Sequence, residues 1–218
     1  MHIPTSALAA KPGHGQRLGR AWRALVNLAG AASAALFARA SVQFFLHTHR
    51  LIGAAFFVEQ AWFVIAFLIR RPARSVASTG GPWLLAAGGT FGGLLLRPSG
   101  AHPYWGVTAG LALQLLGLVI AVTALLTLGR SFGFVAADRG LVSSGPYALV
   151  RHPVYAAYII IQSGYLLQSI SLRNAVVIAF ATCCNAGRAV AEERLLSSSA
   201  PYQDYRRRVR WRLVPGIW

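Results

Sequence analysis

The chain has 218 residues, of which 56% are hydrophobic and 12% are charged. A soluble domain usually carries about 25% charged residues; here the apolar residues form long segments, which indicates a single integral membrane domain. The net charge of +16 does not favour a nucleic-acid partner, because the basic residues stand at segment ends and not along one face.

The first 23 residues are polar, basic and rich in glycine and proline. They resemble the start of a secretory signal, but the next apolar stretch is too long for a cleaved one and further apolar segments follow it. We therefore expect residues 1–23 to form a basic cytosolic leader that is disordered in part.

Six apolar segments follow the leader, with boundaries set to within about 2–4 residues. The third is short, and its closely spaced glycines favour tight helix packing. The segments are Ala24–Leu46, Leu51–Ile69, Trp83–Leu96, Tyr104–Leu128, Pro153–Gln168 and Leu172–Ala191. The sequence thus predicts an all-α, polytopic integral membrane protein with about six transmembrane or partly spanning helices.

Arginines are distributed unevenly among the connections between these segments. If the N-terminus is cytosolic, only Arg50, Arg97 and Arg173 lie outside, and the other loops and the tail carry the remaining basic clusters. The positive-inside rule then predicts an even number of spans with both termini cytosolic. It also places the loop 129–152 and the tail 192–218 on the same side, where they can meet.

The stretch GPYALVRHPVYAAY, Gly145–Tyr158, is the most informative part of the chain. Pro153 suits the first position of a helix, which places His152 near the N-cap and Arg151 just before it. The free N–H groups and the positive dipole end of that helix point in the same direction as these two side chains. The pattern predicts an anion site at the membrane surface.

Two adjacent acids, Glu192 and Glu193, end the next predicted helix, in a chain with only five acidic residues. Residues one apart point about 100° apart around a helix, so Glu192 can pair with Arg188 while Glu193 faces a ligand. An electropositive corner that faces carboxylates suits a zwitterionic ligand. A polar helix end with ordinary surface pairs explains the two acids about as well.

Other polar residues favour structural roles. Glu59 falls in the middle of a segment, where a carboxyl group is hydrogen-bonded for structure or lines a polar pocket, and structure is slightly favoured. No metal site is predicted, because the histidines 47 and 49 lack a third ligand nearby and the adjacent cysteines 183 and 184 suit packing. The tail alternates arginines with Tyr202, Tyr205 and tryptophans, which is typical of a segment at lipid headgroups or of a lid.

These motifs resemble the isoprenylcysteine carboxyl methyltransferase family and, more widely, membrane methyltransferases that include phospholipid N-methyltransferases. The family pattern is Arg-His-Pro-x-Tyr, a hydrophobic stretch and then Glu-Glu. It is matched by Arg151, His152, Pro153, Tyr155, Glu192 and Glu193. The likeness covers the chain from about Leu125 onward; Ala156 and Ala157 stand where the family usually has glycine.

The resemblance implies a methyltransferase that uses S-adenosylmethionine and takes a lipophilic small molecule or lipid as its acceptor from the membrane. Residues 129–218 would form the methyltransferase core with a cytosolic cofactor site, and residues 24–128 would shape the acceptor site. The cofactor-binding candidates are Gly145, Tyr147, Arg151, His152, Pro153, Tyr155, Glu192, Glu193 and Tyr202. The catalytic candidates are Arg151, Glu192 and Glu193.

Several acceptors and two other classes of protein stay open at this point. A prenylated cysteine, a phospholipid, a small thiol or another hydrophobic acid all fit as acceptors. A nicotinamide-dependent membrane reductase of related architecture and a non-catalytic helical membrane protein are the alternatives to a methyltransferase.

Overall fold

The computed structural model describes residues 14–49, 51–73, 75–76, 80–99, 102–135 and 137–218. The helices there are α1 (His14–Thr48), α2 (Leu51–Ile69), α3 (Gly80–Phe91), α4 (Gly106–Leu128), α5 (Pro153–Gln168), α6 (Leu172–Leu196) and α7 (Ala200–Arg208). Short 3₁₀ turns cover Gly92–Leu95, Gly129–Ser131 and Gly145–Ala148. Two-residue strands, β1 (Ser75–Val76) and β2 (Ala137–Asp138), pair antiparallel with Ser75 opposite Asp138. The predicted all-α class is confirmed, apart from this small bridge.

Three of these helices are long and apolar enough to cross a membrane. The stretches are Ala24–His47 in α1, Gly106–Ser131 in α4 with the 3₁₀ turn that follows it, and Leu172–Leu196 in α6; Phe56–Ile69 in α2 is a shorter apolar stretch. With 12 and 16 residues, α3 and α5 rise only about 18 and 24 Å, less than a bilayer core of about 30 Å. The chain is therefore a helical integral membrane protein. Helix α3 corresponds to the short third segment that the sequence predicts.

Two helices extend beyond their predicted segments. Residues 14–23 of the predicted leader belong to α1, whereas residues 1–13 lie outside the described residues. Helix α6 continues to Leu196 because the next proline, Pro201, comes only after it. The two acids therefore lie inside the last turns of α6, and the prediction that the helix ends at them is wrong.

Close packing of α3 on α6 follows from the predicted glycine cluster. A Cβ atom on Gly88 would lie 2.7 Å from Cys184 Sγ, and one on Gly89 would collide with the Asn185 side chain. Because glycine has no side chain at these two positions, the helices approach each other closely, as the small-residue pattern predicts.

A second close contact joins α4 to α5. A Cβ atom on Gly110 would collide with the carbonyl oxygen of Gly164, and one on Gly164 would meet Gly110 in return. Beside them, Gln168 donates a hydrogen bond of 2.8 Å to Gln114. The second half of α5 is thereby held against the first half of α4.

Candidate active site

The loop before α5 is shaped by local sequence rules. Gly145 has a φ of +56° and starts the 3₁₀ turn, a backbone conformation that glycine adopts without strain. Pro153 is the first residue of α5 and His152 is its N-cap, so the predicted start of this helix is confirmed. Pro153 is fully buried, which anchors Arg151 and His152 at the edge of the packed interior.

The tail folds onto this loop. The backbone N–H groups of Arg151 and His152 donate 2.9 Å hydrogen bonds to the carbonyls of Trp211 and Arg212. In α7, the Tyr205 hydroxyl donates to the Tyr147 carbonyl at 2.7 Å. Burial raises the pKa of Tyr205 to about 12, so it remains a neutral donor near pH 7. The predicted meeting of the loop and the tail is confirmed.

Glu193 is the centre of a buried cluster of ion pairs. It is 5% exposed, and its oxygens lie 2.8 Å from Arg151 Nε, 3.0 Å from Arg212 Nε and 3.3 Å from His152 Nε2. Arg151 also donates through Nη1 to the carbonyls of Val209 and Arg210. The guanidinium of Arg151 and the carboxylate of Glu193 are thus occupied by protein groups that tie the tail to α6.

Glu192 has different surroundings. The Tyr155 hydroxyl donates a 2.5 Å hydrogen bond to Glu192 Oε1, and His152 Nδ1 lies 3.6 Å from Oε2. Arg188 does not hold it as the spacing predicts. Its guanidinium donates to the Phe134 carbonyl at 2.8 Å and lies 4.9 Å from the Tyr155 ring centre. The two acids diverge as predicted, but their roles are exchanged: Glu193, which the sequence predicts to face a ligand, is enclosed by ion pairs, and Glu192 lines a cavity.

That cavity has a volume of about 700 Å³, within the range of small-molecule sites. Six predicted site residues lie on its wall: Tyr147, Arg151, His152, Tyr155, Glu192 and Tyr202. The other three, Gly145, Pro153 and Glu193, support the wall from behind through the contacts described above. The structure therefore brings the predicted residues together, with a division between lining and supporting positions.

Sequence reasoning missed two arginines on the same wall. Arg188 and Arg139 both line the cavity. Burial lowers the pKa of Arg139 to about 10, so it keeps its charge near pH 7. A charged residue inside an apolar helix is by default a candidate functional residue. Arg188 lies within the predicted apolar segment Leu172–Ala191, so the sequence already contained this signal.

Unpaired buried polar atoms lie at this end of the cavity. Arg188 Nε and the Tyr202 hydroxyl are buried without a hydrogen bond to any of the described residues. Burial raises the pKa of Tyr202, so its hydroxyl stays protonated and can donate. An unpaired buried donor costs free energy, and a ligand acceptor in the cavity would remove that cost.

The cavity continues away from the tail into apolar surroundings. Its wall there is built by aromatic and small side chains of α1, α2 and α5, among them Phe37, Phe56, Phe63 and Ile161. One end is therefore charged and hydrogen-bonding, and the other suits a hydrocarbon chain. Helices able to cross a membrane and a cavity of this amphipathic kind define a membrane protein with an internal cavity that is polar at one end and apolar at the other.

Comparison with known proteins narrows this class. The phospholipid methyltransferase family model matches residues 105–199, a stretch that contains every predicted site residue except Tyr202. Two Arabidopsis thaliana proteins, protein-S-isoprenylcysteine O-methyltransferases A and B, are 30% and 31% identical to the chain over 118 residues, 51% of its length. These matches confirm the resemblance that the motifs predict: the chain is similar to membrane methyltransferases.

The matches cover only part of each protein. The aligned region is 54% of each plant relative, so the chain spans about half the length of the curated relatives it matches. A solved structure of a eukaryotic intramembrane Ras methyltransferase, isoprenylcysteine carboxyl methyltransferase, aligns with 85% of this chain and 75% of its own at 20% identity, with a TM-score of 0.44.

Proposed function

We propose that this chain is an integral membrane methyltransferase that uses S-adenosylmethionine to methylate a lipophilic acceptor. The observation that carries the proposal is the single cavity that joins a charged end, lined by Glu192, His152 and Arg188, to an apolar end between α1, α2 and α5. The family match over residues 105–199 supports the type of reaction, because it contains those three residues.

The residues at the charged end fit the proposed cofactor. S-adenosylmethionine carries a carboxylate, an ammonium group, a sulfonium and a ribose diol. Arg188 Nε and the Tyr202 hydroxyl are unpaired donors that suit the carboxylate, and Glu192 is an acceptor for the ammonium group or the ribose hydroxyls. The ring of Tyr147 can face the sulfonium, whereas the ring of Tyr155 already contacts Arg188 and His152. When bound, the cofactor supplies an electrophilic methyl group.

The contribution of the chain is alignment in a water-poor pocket. The apolar wall holds the acceptor chain and excludes water, while the polar end orients the reacting group, so most of the rate comes from proximity. A carboxylate or thiolate acceptor needs no general base. For an amine acceptor, Glu192 is the carboxylate placed to accept the proton.

We place both termini and the charged end of the cavity on the cytosolic side, with about six spanning or partly spanning helices. The distribution of arginines supports this orientation, since only three of them fall in loops on the opposite side. The cofactor would then enter from the cytosol and the acceptor sideways from the bilayer.

Calorimetry with S-adenosylhomocysteine tests the proposal. We expect the detergent-solubilised protein to bind this product, and His152→Ala and Glu192→Gln each to weaken binding by about tenfold, the worth of one hydrogen bond to a charged group. Arg173→Gln, a change of charge at the opposite end of α6, is the control and should bind normally.

Three results would contradict the proposal. If the reduced nicotinamide cofactor raises the melting temperature and S-adenosylhomocysteine does not, the chain is a reductase. If neither ligand raises it, the chain is not an enzyme of either kind. If both variants bind with unchanged affinity, the site lies elsewhere. Transfer of a labelled methyl group into membrane lipid extracts, with mass spectrometry of the product, then identifies the acceptor.

A further inference from the structure

The apolar end of the cavity contains a carboxyl group. Glu59 lies in α2, is 2% exposed and lines the cavity near Phe56 and Phe63. A carboxyl group removed from water in this way is costly unless its oxygens are hydrogen-bonded. Intramembrane carboxyl groups are accordingly rare and mark sites of function by default.

Glu59 belongs to a line of polar side chains that crosses the cavity wall. The Tyr158 hydroxyl of α5 lies within electrostatic reach of the Glu59 carboxyl group. Tyr155, Tyr158 and Gln162 all line the cavity, and their spacing of three and four residues places them on one face of that helix. From Tyr155, which holds Glu192, to Gln162 the helix rises about 10 Å.

Two oxygen atoms in this line have no hydrogen-bond partner. Glu59 Oε1 and Gln162 Oε1 are both buried, and none of the described residues donates to either. A buried carboxyl oxygen in a purely structural role normally has a hydrogen-bond partner. An unsatisfied acceptor on the wall of a ligand cavity is instead available to a donor on the ligand.

We propose that Glu59, Tyr158 and Gln162 form a second polar subsite that binds an O–H or N–H group on the hydrocarbon part of the acceptor. The subsite lies about 5–10 Å along α5 from the Glu192 end. It assigns the acceptor to the class of lipids with two polar groups, one that reacts and one that is held on the chain. The identity of the reacting end rests on the proposed function; the donor-binding role of Glu59 does not.

A matched pair of probes tests this subsite. One probe is an N-acetylcysteine with a long unsubstituted alkyl thioether. The other carries a hydroxyl group about four carbons from the sulfur, so that its carboxylate and hydroxyl are about 10 Å apart, the helical rise from Tyr155 to Gln162. Apparent affinities follow from ligand-induced shifts in melting temperature in detergent. We expect the wild-type protein to bind the hydroxylated probe about 5- to 10-fold more tightly, the worth of one net hydrogen bond.

Substitutions locate the effect. Glu59→Leu should reduce the preference to about onefold and leave S-adenosylhomocysteine affinity unchanged. Gln114→Leu is the matched control, since Gln114 is also buried, polar and within a spanning helix but pairs with Gln168 away from the cavity; it should keep the full preference. If Glu59→Leu does not fold, Gln162→Leu supplies the same readout and should lower the preference.

Each outcome decides one proposal. Equal binding of the two probes by the wild-type protein would overturn the subsite. A preference that persists in both Glu59→Leu and Gln162→Leu would overturn it as well. If S-adenosylhomocysteine does not bind but a Glu59-dependent preference persists, the subsite stands and the methyltransferase proposal fails. If S-adenosylhomocysteine binds and the wild-type protein does not prefer the hydroxylated probe, the methyltransferase proposal stands and the subsite fails.

Discussion

Glu192 and Glu193 are adjacent in sequence, and the structure gives them separate environments. Glu193 points toward the tail and is surrounded by Arg151, Arg212 and His152 within 3.3 Å. Glu192, about 100° around the helix, reaches the cavity and accepts from Tyr155. One carboxylate therefore stabilises the fold of the site, and the other is available to a ligand.

Amide substitution of each acid separates the two roles. Glu193→Gln leaves the Arg151 charge buried and unpaired, so we expect a loss of about 3–5 kcal/mol of stability together with weaker S-adenosylhomocysteine binding. Glu192→Gln should weaken binding with little change in melting temperature. Thermal unfolding and calorimetry on the same detergent preparations measure both effects.

An exposed acid provides the control for these substitutions. Asp204 pairs with Arg207 at 2.8 Å with both side chains exposed to solvent, a kind of pair that contributes little. Asp204→Asn should therefore change neither stability nor binding. A larger loss of stability in Glu192→Gln than in Glu193→Gln would reverse the assignment of the two acids.

At the level of single residues, sequence could predict what depends on local rules. Pro153 and His152 are placed by the preference of proline for the first helical turn, and the divergence of the two acids follows from helical geometry. Their division of roles could not be predicted, because it depends on where the tail packs. The pairing of Arg188 with Glu192 failed for the same reason: the Phe134 carbonyl, brought by the loop after α4, takes the guanidinium.

Among the secondary-structure elements, α2 and α5 have the bounds that the sequence predicts, whereas α1, α3 and α6 differ from theirs by five residues or more at one end. Helix α5 runs over the predicted Pro153–Gln168 because proline marks its start. Helix α6 passes its predicted end by five residues, to Leu196, since the apolar pattern stops before the helix does. An amphipathic last turn is difficult to distinguish from a loop by hydrophobicity alone.

The contact between α4 and α5 at Gly110 and Gly164 predicts a sensitive position. Gly164→Ala places a methyl group against the Gly110 carbonyl and about 3.0 Å from Gln114 Cγ. We expect a loss of about 1–3 kcal/mol through overpacking, seen as a lower midpoint of unfolding in detergent. An unchanged midpoint would show that the two helices separate without cost.

Gly81→Ala is the matched control for that substitution. A Cβ atom on Gly81, in the first turn of α3, would meet nothing within 4 Å. Replacing a helical glycine by alanine in open space usually stabilises slightly. The two substitutions therefore test whether contact, and not glycine itself, decides the result.

Over the whole molecule, charge distribution predicts which segments meet. The arginine bias groups the loop before α5 with the tail, and the backbone hydrogen bonds of Arg151 and His152 to the tail show that they are adjacent. What the bias cannot supply is the number of spans. Only three helices reach membrane-crossing length and hydrophobicity in the described residues, because short helices can be buried by neighbours instead of lipid.

Thiol labelling in intact cells tests the proposed orientation. With Cys183 and Cys184 replaced by alanine, we expect a membrane-impermeant maleimide to modify Arg97→Cys, in the loop before α4, from outside. Asp204→Cys, in α7, should react only after the membrane is permeabilised. Both positions are exposed in the structure, so access depends on the side of the membrane. The inverse pattern would place the charged end of the cavity outside.

The bonds from Trp211 and Arg212 to the start of α5, and the wall contributed by Tyr202 and Tyr205, have a consequence for biogenesis. These residues leave the ribosome after every apolar helix. The membrane-embedded part of the protein therefore exists for a time with an incomplete pocket, whose wall is closed only after this last segment has been translated.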